Sequence, residues 1–433
     1  METPILNQLE RYHNQNRISF AMPGHKNMRG LVANLSMCDV TELSATLNLL
    51  GDDITITRAN ELLSEFYRTK KSYILTGGST AGVKVMILSA VNPGETLAIS
   101  PDCHMSVINT CAISGIDVKV ITDINDITPD VSAVLVTSPN YYGQTKDISN
   151  LSEKCHSLNI PLLVDEAHGA HFIGKYGLPK SATILGADLV CQSAHKTLNA
   201  LTGAAYLHVC SDSISLNRVR TMLRAVHTSS PSYMIAASAD IARATLSECD
   251  YREIIRECCE LKGAISRQTK IKALENDDPT RIVLDFSEYK LSGFSVSEKL
   301  AERYMIDVEM ADLKNIVLIV TPYNRHSDFM SLFHALKEIV TDTNQLIIPD
   351  ISAPVIKTRT ISPGKGLYSP TETVELSHAI GRIAAVSVCM YPPGSTIICM
   401  GEEITKDAVE YIGAVLEESA DVVGITDGKI DVV

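Results

Sequence analysis

No stretch of this chain approaches the roughly 18 uninterrupted apolar residues that a membrane-spanning helix needs. The opening METPILNQLERYHNQNR has no apolar core of signal-peptide length. The 11 cysteines are odd in number and none stands in a C-x-x-C pair, while Cys258 and Cys259 are adjacent and poorly placed to staple a fold. Neither a disulfide framework nor a zinc site is expected, and the cysteines read as reduced, mostly buried thiols of a cytosolic protein. Repeats and low-complexity tracts are absent. A cationic surplus is missing too: the net charge of −13 argues against nucleic-acid and anionic-membrane partners. It is compatible with a cationic small substrate.

What is present is ordinary for a globular protein, 45% hydrophobic and 21% charged over 433 residues, enough for a large core and two or three domains. From about Tyr73 to Val209, short apolar runs alternate with helical patterns such as TAGVKVMILSAV and ISNLSEKCHSL. The strand candidates are ETLAIS, DVKVI, SAVLVTSP, IPLLVDEA, DLVCQSA and AAYLHV. Several are apolar throughout, as expected of strands buried on both faces of a parallel sheet, so this region reads as α/β with βαβ crossovers. The expected divisions are an arm over 1–35, a large domain over 36–250, a small α/β domain over 251–345 and a Pro- and Gly-richer third over 346–433.

Ligands of such sheets bind at the carboxyl ends of the strands, and the unusual polar residues fall there. Thr76-Gly77-Gly78-Ser79-Thr80 opens a helix: adjacent glycines, two hydroxyls and a helix N-terminus make a phosphate cup. A plain N-cap explains the same residues, and the G-K-[ST] ending of a Walker loop is missing. Asp165 ends the run LLVDEAHGAHF, where a buried acid needs a partner such as a protonated ring nitrogen. His168 and His171 follow, but no third ligand stands at metal-site spacing. Lys196 lies in CQSAHKTLNALTG between two strand candidates. Alone it reads as a solvated charge; with its pKa lowered it is the side chain that makes Schiff bases. Pyridoxal 5'-phosphate (PLP) needs a lysine for its aldehyde, a carboxylate for its ring nitrogen and a phosphate cup. The chain carries all three, each after a strand.

At these residues the chain resembles the ornithine/lysine/arginine decarboxylase family of PLP enzymes. The resemblance rests on MPGHK (22–26), GGST (77–80), CHMSV (103–107), SPNYYG (138–143), VDEAHGAHF (164–172), QSAHKTLNALTG (192–203), TSSPSY (228–233), VEMAD (308–312) and YPPG (391–394). It implies fold type I, the aspartate-aminotransferase type: a large domain on a mixed, mostly parallel sheet, a smaller α/β domain and a C-terminal domain. It implies that Lys196 holds PLP and moves protons at the reacting carbon, that Asp165 pairs with the ring nitrogen, and that His104 stacks on one ring face with Ala167 under the other. Gly78, Ser79, Thr80, Ser193 and His195 would bind the phosphate. His168 would lie near the cofactor and the substrate carboxylate. Ser229, or Thr228 beside it, would reach the phosphate of a neighbouring subunit, making a homodimer with shared active sites. The implied reaction is decarboxylation of a basic amino acid, arginine or lysine ahead of ornithine, to the amine of polyamine metabolism. An acid would read the substrate's cationic side chain: Glu309, Asp312, Glu402 or Glu403.

The chain also departs from the family pattern. Arg-Asn commonly precedes the stacking histidine segment and Lys follows it; here the text is Pro101-Asp102 and Met105. Two basic residues near the cofactor are thereby lost. The family's large members carry an N-terminal receiver-like domain, and rings that depend on it are not expected of a chain that opens almost at MPGHK. Pro392 and Pro393 read as a rigid loop and Arg382 as structural. The same scaffold also serves aminotransferases and lyases, and an inactive partner-binding homologue would keep the fold.

Overall fold

The structure, a computed structural model, describes residues 18–20, 42, 47–341, 354, 360–390, 394–418 and 420–433. The MPGHK motif and Tyr391 to Pro393 lie outside them. After a short strand β1 (Ile18–Phe20), the chain builds β2 (Lys71–Leu75), β3 (Thr96–Ile99), β4 (Asp117–Val120), β5 (Ala133–Thr137), β6 (Leu162–Asp165), β7 (Leu189–Gln192) and β8 (Ala205–Val209). These form a seven-stranded sheet in the order β2-β8-β7-β6-β5-β3-β4. β4, β3, β5, β6 and β7 run parallel, while β8 is antiparallel to both of its neighbours.

Every residue of β5, β6, β7 and β8 is buried. Alternate side chains serve opposite faces. Leu163, Leu189 and Cys191 pack with Val83, Met86 and Val107, which come from helices α1 (Gly78–Ala90) and α2 (Met105–Ser114). Leu162, Val164 and Val190 pack on the other face with Ile148 and Cys155 of α3 (Ile148–Ser157). Each fully buried Val, Leu or Ile is worth roughly 1.5–3 kcal/mol over its exposed state, so both faces hold the strands in register. All six strand candidates are strands. β2, with Lys, Ser and Tyr in KSYIL, carries no such apolar run.

The chain leaves β3 for β4 on one side and returns to β5 on the other, which opens a crevice at their carboxyl ends. A four-residue helix, α4 (Ala194–Thr197), joins β7 to β8 at the same rim. The charged sequence that follows is two helices, Tyr233–Glu248 and Arg252–Gln268, broken at Cys249 to Tyr251.

A second sheet comprises β9 (Lys272–Ala273), β10 (Arg281–Asp285), β12 (Met310–Ala311) and β13 (Asn315–Ile319), all antiparallel, in the order β12-β13-β10-β9. Between them β11 (Ile306–Val308) pairs in parallel with β1. A buried cluster ties this sheet to the first: His171 Nε2 lies 3.2 Å from Thr280 Oγ1 and 3.3 Å from Asp278 Oδ2. The C-terminal part holds β14 (Glu372–Glu375), β15 (Val388–Met390), β16 (Ser395–Ile398), β17 (Val422–Val423) and β18 (Lys429–Val432) around the helix Lys406–Glu417. Its own core includes Leu376, Ile398, Ile404 and Ile412. Arg382 pairs there with Glu372 at the surface (2.9 Å). Among the described residues no helix is long and apolar enough to cross a membrane.

Gly82 lies where α1 crosses β7, and a Cβ there would collide with Cys191 Sγ and sit 3.1 Å from Leu75 Cδ1. Gly82→Ala is expected to lower the unfolding free energy by about 1–3 kcal/mol. Gly413→Ala, in the helix Lys406–Glu417 where an added Cβ meets nothing within 4 Å, is expected to raise it by about 0.5–1 kcal/mol. Urea denaturation of both variants checks the pair, and equal losses would contradict the packing argument.

Candidate active site

The strand ends surround a cavity of about 420 Å³, a size typical of small-molecule sites. One end of it is the start of α1. Gly77 precedes the helix without a side-chain cap, and Gly78 has φ +70, a conformation open to glycine. Gly78 N–H donates to the Gly203 carbonyl (2.8 Å), tying this turn to the loop after Lys196. The amides of a first helical turn have no intrahelical acceptor, and the helix dipole favours an anion there. Ser79 and Thr80 line the cavity beside them. Ser193 joins from the end of β7, its hydroxyl donating to Ser79 Oγ (2.7 Å). His195 also lines it, its ring oriented by an Nδ1–H bond to the Ala204 carbonyl (3.0 Å).

Lys196 projects from α4 into the cavity. Its Nζ lies 2.9 Å from His168 Nε2 and 3.4 Å from the Tyr141 hydroxyl. Burial pulls the Lys196 ammonium below its ordinary range, against the charges of Glu309 and Asp165, which favour it; Arg281 acts with burial. His168 itself is buried, and burial, then Lys196 and Arg281, hold it well below the usual imidazole range. The ring of Tyr141 meets the His168 ring edge-on at 4.3 Å.

At the end of β6, alternation sends Asp165 and Glu166 to opposite sides. Asp165 lines the cavity, with its Oδ1 accepting from Ala167 N–H (3.2 Å). Burial pushes its carboxyl up to about 6, although Lys196 and the Ala167 amide work the other way. Glu166 accepts from Ser181 Oγ (2.7 Å), Gln192 Nε2 (2.6 Å) and Ala182 N–H (2.7 Å) inside the protein, and burial pushes it up to about 7. His104 and Ala167 both line the cavity. His104 caps α2: its Nδ1 accepts from Ser106 N–H (3.1 Å). Burial, then the Lys196 charge, push it down to about 4, so the ring stays neutral. Gly394 of the YPPG motif, at φ +92, lies beside this ring; a Cβ there would lie 2.9 Å from His104 Nε2.

His168 and His171 diverge, one toward Lys196 and the other toward Asp278 and Thr280. Ser229 and Thr228 are exposed and do not line the cavity. The adjacent His227 is buried and anchors that segment, accepting from Thr76 N–H (3.1 Å) and donating from Nδ1 to the Thr228 carbonyl (3.3 Å). Among the four candidate acids, Asp312 accepts from Tyr142 Oη (2.7 Å) and from the amides of Lys314 (2.7 Å) and Asn315 (2.8 Å). Glu402 accepts from Cys399 N–H (2.9 Å) in the C-terminal part, and Glu403 is exposed. Glu309 is buried, and its charge is felt by both Lys196 and Arg281. Asp102, one of the departures from the family pattern, lines the cavity and pairs with Lys146 (2.6 Å). Met105 packs on Cys389, sulfur to sulfur at 3.6 Å.

Two further side chains at the site carry no sequence assignment. Tyr141 sits in SPNYYG without a distinctive spacing. Arg281 opens the apolar run RIVLDF, and its one available signal is the cost of burying a cation at the start of a strand.

A lysine after β7, an acid at the end of β6 and an uncapped glycine-rich helix start after β2, on a sheet of this order, define a fold type I PLP-dependent enzyme. The Orn/Lys/Arg decarboxylase major domain matches residues 3–121 and 117–286, and the C-terminal domain of the same family matches 364–426. The chain is 32% identical to the uncharacterized protein YaaO of Bacillus subtilis, over 98% of this chain and 96% of that one. It is 28% identical to the arginine decarboxylase of Bacillus subtilis, over 100% and 97%. Its fold matches the lysine decarboxylase of Francisella novicida with a TM-score of 0.74 at 16% identity, over 94% of this chain and 74% of that one. The chain belongs to the Orn/Lys/Arg decarboxylase family and is a PLP-dependent amino-acid decarboxylase.

An acid held above its ordinary 3.8 binds more protons folded than unfolded between that pH and its raised value. Its contribution to stability therefore falls as pH rises through this window and stays lost above it. Asp165→Asn is expected to stabilise the cofactor-free protein at neutral pH by at most about 3 kcal/mol, at about 1.4 kcal/mol per pH unit between 3.8 and about 6. The gap should close toward pH 4, and thermal unfolding across that range measures it. A difference that ignores pH would rule out the buried-acid account.

Proposed function

We propose that this cavity decarboxylates a basic amino acid, arginine or lysine ahead of ornithine, to the amine and CO2. The observation that carries the reading is the convergence of Lys196, Asp165 and the start of α1 on one cavity. These residues fit PLP: a cationic ring nitrogen would pair with Asp165, which burial otherwise holds toward its neutral form, and an anionic phosphate suits the uncapped helix start. When bound, PLP supplies an electron sink for the pair left as the carboxylate departs.

This chain's own residues do the rest. Lys196 Nζ presents an amine to a carbonyl and later holds a proton for the reacting carbon. With PLP bound, Asp165 would keep the ring nitrogen protonated. Gly78, Ser79, Thr80, Ser193 and His195 would hold the phosphate. His104, as a neutral imidazole, and Ala167 would flank the ring and exclude water from it. His168 lies at the carboxylate end. Glu309 reads the substrate's cation: it is buried, and its charge reaches Lys196. Ser229, with Thr228 beside it, reaches the phosphate of a second copy, so the working unit is a homodimer. The amine enters polyamine metabolism in the cytosol, a setting that suits ten described cysteines, none of them in a disulfide.

The PLP-loaded protein is expected to release CO2 from arginine or lysine, measured separately with arginine, lysine and ornithine. Lys196→Ala should abolish release while leaving the fold intact. Glu309→Gln should raise KM about 10–100-fold, the worth of a lost charge-assisted hydrogen bond, with a smaller change in kcat. An unchanged KM removes Glu309 from the substrate site. Product that appears only when a keto acid is supplied would indicate transamination instead.

A further inference from the structure

Three nitrogen-bearing side chains form a line at one end of the cavity. Arg281 Nη2 lies 3.2 Å from His168 Nδ1, and His168 Nε2 lies 2.9 Å from Lys196 Nζ. Arg281 and His168 are 1% and 2% exposed, so water does not compete for these bonds. The chemistry of the three groups fixes every proton along the line. A guanidinium has N–H donors and no acceptor, so His168 must accept at Nδ1. A neutral imidazole that accepts at Nδ1 carries its proton on Nε2. That Nε2–H points at Lys196 Nζ, which can accept it only as an uncharged amine, because an ammonium has no lone pair.

We propose that Arg281 is a positioning residue that holds Lys196 as the free amine, acting through the tautomer of His168. Without Arg281 the imidazole is free to place its proton on Nδ1 and turn Nε2 into an acceptor, which welcomes the ammonium. With Arg281 in place that arrangement sets N–H against N–H. The surroundings hold the line in shape. The loop after β5 lies over the Arg281 stem through Gly143, at φ +81, where a Cβ would come within 2.8 Å of Arg281 Cβ. The same loop brings Tyr141 against the His168 ring. Arg281 Nε and Nη1 have no hydrogen-bond partner among the described residues, and the charges of Asp278 and Glu309 balance its cation.

The inference deepens the reading of Lys196 given above and rests on it for its purpose. Only the free amine attacks an aldehyde, forming a C–N bond and releasing water. The groups that act on Lys196 come from several elements. Asp165 on β6, Cys191 on β7 and Glu309 between β11 and β12 favour the ammonium, while Arg281 on β10 opposes it. His104 before α2 and Tyr141 after β5 also face it.

The test uses cofactor-free protein labelled with ¹⁵N-histidine, with the His168 signals assigned by their loss in His168→Asn. Wild type should show an unprotonated Nδ1 and a protonated Nε2. Arg281→Lys, which still offers only donors, should keep that pattern, and Arg281→Met should lose it. Capture of added PLP, followed by absorbance against pH, should have its midpoint raised by about one unit in Arg281→Met, or about tenfold less free amine at neutral pH. A wild-type His168 protonated at Nδ1 overturns the proposal without any variant. So does an Arg281→Met protein with the wild-type tautomer and capture profile. No amino-acid substrate is involved, so the outcome is separate from whether the protein decarboxylates anything.

Discussion

An amine must stay uncharged beside an aspartate that lines the same cavity, and the groups around Lys196 are placed to bear on this. Lys196 sits in a four-residue helix between two wholly buried strands. Burial disfavours its charge, yet Asp165 and Glu309 each favour it. Two carboxylates beside one lysine would ordinarily keep an ammonium. Burial is the main counterweight, and Arg281, which begins β10 on the second sheet, adds to it. The acid–base state of a residue on the first sheet is therefore also set by a residue on the second, and the cluster of His171, Asp278 and Thr280 joins the two sheets.

Much of this was legible beforehand, and the reason is physical. Strands buried on both faces are apolar throughout, so the central runs are readable as strands and the polar residues at their ends stand out, while β4, with Asp and Lys in DVKV, is a partly exposed edge. Lys196, Asp165 and the Gly77–Thr80 turn each carry their chemistry within a short local stretch. What stayed hidden depends on pairing. An apolar run reports burial, not direction, so nothing in AAYLHV indicates that β8 runs antiparallel. KSYIL mixes polar and apolar residues and carries no comparable strand signal, although it forms β2.

The same limit applied inside the site. Four acids are candidates for the substrate's cation, and spacing does not separate them; the fold adds that Glu309 is the one whose charge acts on Lys196, while Asp312 and Glu402 accept from backbone amides. The loss of basic residues around His104 reads as a charge deficit in the sequence. In the fold Asp102 meets Lys146, far along the chain, and the cation at that rim comes from another loop. Arg281 leaves a single signal, a cation that opens an apolar run, because a strand residue's neighbours far along the chain leave no periodic trace.

The contact between Gly394 and the His104 ring reaches across the chain from one end of the fold to the other. Chains are made from the N-terminus onward and fold by domains as they emerge. The large sheet is complete once β8 has been made, at Val209, and with it Lys196, Asp165 and the Gly77–Thr80 turn. The wall behind His104 does not exist until Gly394 has been added, and the Met105–Cys389 and Cys103–Thr396 contacts arrive with it. A nascent chain therefore has Lys196, Asp165 and the Gly77–Thr80 turn long before it has the residues beside His104. The order of synthesis makes the C-terminal part the last component of the active site, so that a chain cut short before it keeps the lysine but lacks one side of the room around it.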